Sequence, residues 1–128
     1  FLVGELRQTI ESRFAVSRKP KDRLLMGSSM GGLISLYALL EQPQHFAGAS
    51  ALSTHWPGGF DPADDSFAQA MRTYLRERLP TLGQQKIWMD HGTETLDALY
   101  PPLQREVDAV LNVSPLPPAQ WRSREYPG

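Results

Sequence analysis

The sequence contains no cysteine. That excludes disulfides, thiolate metal sites and a cysteine nucleophile, though it does not by itself fix the compartment. An excess of charge is lacking too. Thirteen basic residues against 14 acidic ones leave a net charge of −1, so no broad attraction to nucleic acid or an anionic membrane is expected. The one basic cluster, Arg18, Lys19, Lys21 and Arg23, reads as a solvated loop ahead of a strand. The longest apolar run, Leu33 to Leu40, falls well short of the ~20 residues a membrane span needs. No charged-then-apolar-then-small leader opens the chain, so a cytoplasmic location is expected. No metal site and no cofactor is called for. Histidine is scarce: only His45, His55 and His91 occur.

What is present suits one soluble α/β domain. The chain has 128 residues, 41% hydrophobic and 21% charged, enough for a modest core. Leu2, Val3, Leu6, Ile10 and Phe14 recur at helical spacing, predicting an amphipathic helix over residues 1–14. Short strands are predicted at 23–26, 46–53, 86–90 and 120–126, the last near an edge. Between them fall helices from Gly31 to about Glu41, from Asp64 or Asp65 to about Arg78, and from Asp97 or Ala98 to about Leu111. The helix after Gly31 is apolar nearly all round, which predicts burial. Alternating strands and helices imply parallel pairing through right-handed crossovers, with helices on both faces of the sheet. Ligands of such sheets sit beyond the carboxyl ends of the strands. Ser29, Thr54-His55 and the loop 91–95 all fall at that one edge.

Gly27-Ser28-Ser29-Met30-Gly31 fits G-x-S-x-G in a strand–turn–helix setting. A sharp turn there strains the central serine, and flanking glycines remove side chains that would collide. Ser29 is the candidate nucleophile, with the Met30 N–H aimed at a developing oxyanion. No phosphate-loop or dinucleotide pattern matches the same glycines.

The stretch RLLMGSSMGGLISLYALLEQPQHFAGASALS resembles the nucleophile region of the esterase family of α/β hydrolases, which includes S-formylglutathione hydrolases, feruloyl esterases, siderophore esterases and mycolyltransferases. KIWMDHGTETLDALYPPLQREVDAVL resembles the segment that carries the acid in that family. The likeness runs from about Phe1 to Tyr126. It implies a partial α/β-hydrolase fold of about four strands with flanking helices, and cofactor-free hydrolysis of a small-molecule ester. It also implies Ser29 as nucleophile, Met30 as oxyanion donor, and an acid between Glu94 and Asp97. Asp97 is the first choice, since GTxTLD recurs among related sequences, and Glu94 the second. Helix N-capping is the bland reading of Asp97. Asp90, at a strand end, reads as a structural carboxylate.

The base does not fit this pattern. The usual order is Ser, acid, His, and no histidine follows Asp97. The chain is therefore expected to be a fragment, lacking early strands and a terminal histidine segment, and impaired as an enzyme. His45 reads as a solvated loop residue. His55, with Trp56 and Phe60, is a candidate for lining the substrate pocket. His55 or His91 acting as a substitute base would break the usual order. A non-catalytic binding module and an acyltransferase using the same serine are the alternatives. The unpaired edge of the first strand predicts self-association into a homo-oligomer.

Overall fold

The computed structural model describes residues 1–59, 61 and 63–128. Strands β1 (Leu24–Ser28), β2 (Gly48–Leu52), β3 (Lys86–His91) and β4 (Trp121–Glu125) form one sheet in chain order. All three pairings are parallel. Parallel neighbours need a crossover, and helices α2 (Met30–Glu41), α3 (Ser66–Arg78) and α4 (Tyr100–Asn112) supply it. Each helix has a chemical start or stop. At the end of α2, Gln42 leaves helical geometry ahead of Pro43, because a residue before proline disfavours the helix. Pro101 and Pro102 sit in the first turn of α4, where a missing N–H costs nothing.

The register divides the sheet's residues cleanly. Leu25, Ala49, Ile87 and Trp121 are cross-strand partners on one face, joined there by Gly27, Ala51, Met89 and Ser123. Ala49, Ala51, Ile87 and Met89 share one core with Leu36 and Leu39 of α2, Leu75 of α3, and Val107, Val110 and Leu111 of α4. The other face carries Met26, Ser50, Trp88 and Arg122 in register, and it stays open. Leu24 and Met26 are 71% and 73% exposed, and Arg124 lies over the half-buried Trp88 ring. The expectation of helices on both faces is thus corrected: α2, α3 and α4 pack on one.

One helix expectation also changes. Residues 1–14 are not one regular helix. A wide π turn covers Leu2–Leu6, α1 spans Arg7–Arg13, and Phe14 is extended. None of its stripe is buried, although Val3 touches the core. Helix α1 is tied to the entrance of β1 by a Glu11–Arg23 ion pair of 3.1 Å. Helix α2 is buried over most of its residues, as expected, though Ile34 and Tyr37 stay about half exposed. Edge placement of β4 is as expected, since it pairs with β3 alone. Among the described residues no helix is long and apolar enough to cross a membrane.

Candidate active site

A sharp bend follows β1. Ser29 adopts φ 59°, ψ −120° as the cap residue of α2. A Cβ on Gly27 would run into the backbone of Gly31, and one on Gly32 would come 2.7 Å from Thr54 Oγ1. Gly31 itself meets nothing, so the steric need falls on Gly27 and Gly32. Backbone bonds hold the turn. Ser29 N–H donates to the Leu52 carbonyl at 2.9 Å, and the Ser29 carbonyl accepts from Gly32 N–H at 3.0 Å and His55 N–H at 3.3 Å. Met30 is the first helical residue, so its N–H lacks an intrahelical acceptor. The N-terminus of α2 adds roughly half a positive charge there.

Strain gathers at this edge of the sheet. Among the described residues three non-glycines have positive φ: Ser29 after β1, Ser53 (41°) after β2 and Thr95 (53°) after β3. Such conformations cost about 1–3 kcal/mol each and persist where surroundings over-determine them. Ser53 and Thr95 flank Asp97. Asp97 Oδ2 accepts from Ser53 Oγ at 2.6 Å and from Gly92 N–H at 2.7 Å. Its carboxylate is therefore fixed by two donors from two loops. The N-cap of α4 is Leu99, so capping does not account for Asp97. Glu94 is exposed and precedes the short turn that carries Asp97. Asp90 accepts from its neighbour Trp88 Nε1 at 2.9 Å.

Behind Ser29 lies a residue with no signal in the sequence. Tyr100 is 1% exposed. Burial pushes its phenol above the ordinary value, the Asp97 charge adds to the rise, and the nearby Ser29 hydroxyl opposes it. Tyr100 also meets His55, Oη to Nδ1 at 3.2 Å, with the rings edge-on. His55, expected to line a pocket, is 4% exposed. Trp56, expected beside it, is placed in the core instead. It is 1% exposed, and its Nε1 donates to Gln104 Oε1 at 2.7 Å. Phe60 lies outside the described residues. His91 is buried, with Nδ1 on the Gly92 carbonyl at 2.8 Å. The His45 carbonyl accepts from Arg23 at 2.7 Å, at the far end of the sheet. A cavity of about 250 Å³ adjoins the loop after β2, lined by Gly59, Asp61, Asp64, Asp65, Leu99 and Leu103 among others.

A family model described as "Putative esterase" matches residues 1–114. Over 48 residues, 37% of this chain, there is 40% identity to the uncharacterized protein YbbA of Bacillus subtilis (strain 168), with 19% of that protein covered. Among solved structures, the enterobactin esterase FES from Shigella flexneri matches with a TM-score of 0.74 at 19% identity, covering 99% of this chain and 31% of that one. S-formylglutathione hydrolase (FrmB) from Staphylococcus aureus gives 0.68 at 22% identity, covering 98% and 51%. FphF, a fluorophosphonate-binding serine hydrolase of S. aureus, gives 0.69 at 18%, covering 99% and 55%. At these identities the structural likeness establishes the fold. The chain spans between about a third and about half of those structures.

Proposed function

The chain belongs to the family described as "Putative esterase", and on that premise we propose that it carries the working edge of a carboxylic-ester hydrolase. Ser29 Oγ attacks the acyl carbon of a small-molecule ester, the alcohol leaves, and water releases the acid from the acyl-enzyme. The Met30 N–H and the N-terminus of α2 stabilise the oxyanion. Asp97 is the triad acid, whose task is to orient an imidazole. The observation that carries this reading is the positive φ of Ser29 between β1 and α2. Ser29 holds there a conformation costing about 1–3 kcal/mol, which persists only where the surroundings over-determine it. The fluorophosphonate-binding hydrolase among the similar folds supports an activatable serine. Transfer to an acceptor other than water uses the same acyl-enzyme.

Among the described residues Asp97 is bonded to Ser53 and Gly92 and not to an imidazole of the kind it would orient. In triad enzymes, removing the serine or the base costs on the order of 10⁶ in kcat. Turnover of p-nitrophenyl acetate by this chain is therefore expected to lie near that of Ser29→Ala. Free imidazole, added as an external base, is expected to open a gap between the two, with acetyl found on Ser29 by peptide mass mapping. No gap at any imidazole concentration, or acetyl on another residue, overturns the assignment.

A further inference from the structure

The loop after β2 grips the turn at Ser29 and the carboxylate of Asp97 at once. The Leu52 carbonyl accepts from Ser29 N–H at 2.9 Å, and His55 N–H donates to the Ser29 carbonyl at 3.3 Å. Ser53 stands between these two anchors. Its N–H donates to the Asp90 carbonyl at 2.7 Å, which ties it to the end of β3. Its Oγ donates to Asp97 Oδ2 at 2.6 Å, a length typical of a hydroxyl bonded to a charged carboxylate. The carbonyl that holds Ser29 and the hydroxyl that holds Asp97 thus belong to adjacent residues. The turn Thr95–Leu99 that carries Asp97 buries none of its residues, so packing does little to fix the carboxylate. Gly92 N–H is a second donor at 2.7 Å, but it comes from the same connection between β3 and α4. Ser53 is the donor that sets Asp97 relative to the turn at Ser29. Both bonds end on Oδ2, so Oδ1 is the oxygen that an imidazole N–H would meet.

Resting on the reading of Ser29 as nucleophile and Asp97 as acid, we infer that Ser53 is a positioning residue. Its hydroxyl holds the Asp97 carboxylate so that Oδ1 accepts the N–H of the imidazole that takes the Ser29 proton. An acid in this role acts by orienting the base. A carboxylate free to turn about its Cβ–Cγ bond presents the right oxygen only part of the time, and a misplacement of about 1 Å can cost ~10²-fold in rate. Ser53 makes its bond at φ 41°, a left-handed conformation that glycine adopts without strain. Replacement by glycine therefore removes the hydroxyl and relieves the backbone in one step. The lost bond and the relieved strain act in opposite directions on unfolding, whereas only the lost bond bears on orientation. Ser53→Gly accordingly separates the two roles that a serine here could play.

The test is the rate at which a fluorophosphonate labels Ser29 in the 128-residue chain, driven by added imidazole or by added 1-methylimidazole. In this step the Oγ–P bond forms, the P–F bond breaks, fluoride leaves and the added base takes the Ser29 proton. The two bases are of similar basicity, but 1-methylimidazole has no N–H for Oδ1. The ratio of the two rates therefore reads the orientation of the carboxylate. Wild type is expected to react at least about tenfold faster with imidazole than with an equal concentration of 1-methylimidazole. In Ser53→Gly the ratio should fall toward one, as in Asp97→Asn, while the unfolding midpoint by circular dichroism stays near that of wild type. A ratio kept in Ser53→Gly but lost in Asp97→Asn overturns the positioning role and leaves Ser29 and Asp97 in theirs. Equal slowing with both bases in Ser53→Gly also overturns it, since that is how a merely structural residue would behave. A ratio of one in wild type overturns Asp97 as the acid, and Ser53 with it, while Ser29 stands. No labelling with either base overturns the nucleophile and all that rests on it. If Ser53→Gly proves unfolded, Ser53→Ala decides by the same ratio, and loss of fold in both overturns the positioning role in favour of a structural one.

Discussion

Adjacent residues of the same four strands build two faces of the sheet that end in opposite conditions. Ala49, Ala51, Ile87 and Met89 point into the single core, under α2, α3 and α4. Their neighbours Ser50, Trp88 and Asp90 point to the other side and are only half buried, while Leu24 and Met26 stand in the open. Parallel sheets are ordinarily buried on both faces. The covered face seats α2 and thereby holds the turn at Ser29. The site accordingly depends on one side of the sheet, and the bare side can be altered while the site is left in place.

The sharpest way to break this contrast is to remove similar volumes from both faces. Leu39 of α2 is fully buried, and Leu39→Ala is expected to cost about 2–5 kcal/mol of unfolding free energy through lost transfer energy and a residual cavity. Met26→Ala on the bare face should stay within about 0.5 kcal/mol. Denaturant midpoints at a constant m-value measure both. Comparable losses at the two positions would mean that the bare face is covered in solution.

Trp56 and Trp88 sharpen the contrast at smaller scale. Trp56 donates to Gln104, which in turn donates to Asp108 at 2.8 Å, all around the core. Trp56→Phe keeps an aromatic ring and leaves the Gln104 oxygen without that donor, expected to cost about 1–3 kcal/mol. Trp88 donates to the half-buried Asp90 on the bare face, where water can replace the lost donor. Trp88→Phe should therefore shift the same denaturation curve by a few tenths of a kcal/mol. An equal shift would remove the distinction between the faces.

Much of the covered half was legible in the sequence, because it depends on local signals. Apolar patterning placed α2, α3 and α4, proline marked their ends, and G-x-S-x-G marked the turn at Ser29. Position after β3 left Asp97 and Glu94 both open as the acid, and only the family resemblance preferred Asp97. What escaped depends on distant partners. Ser53 reaches Asp97 across 44 positions, His55 reaches Tyr100 across 45, and Trp56 reaches Gln104 across 48. No local pattern announces such pairs, so His55 and Trp56 read as loop residues beside a pocket. Nor does a strand's period of two say which face is covered. The irregular turn at Leu2–Leu6 escaped for a related reason: helical spacing reports a stripe, and the stripe here has no layer to bury it.

The smallest change in monomer stability should have the most visible effect on association. Strand β1 pairs only with β2, so its outer edge offers unpaired backbone groups, and Leu24 and Met26 place apolar surface beside it. An edge of that kind invites another strand, and a contiguous apolar patch adds a driving force. The weight-average mass in sedimentation equilibrium is therefore expected to rise with concentration. Met26→Lys introduces a charge whose burial in any such contact would be costly, yet in the monomer its side chain already faces water. It should lower the association while moving the unfolding midpoint little. A chain that stays monomeric at high concentration would show that apolar exposure at β1 is too small a patch to drive pairing. If it associates and Met26→Lys changes nothing, the contact lies elsewhere, and the groove lined by Leu2, Leu6, Ile10 and Phe46 becomes the surface to mutate next.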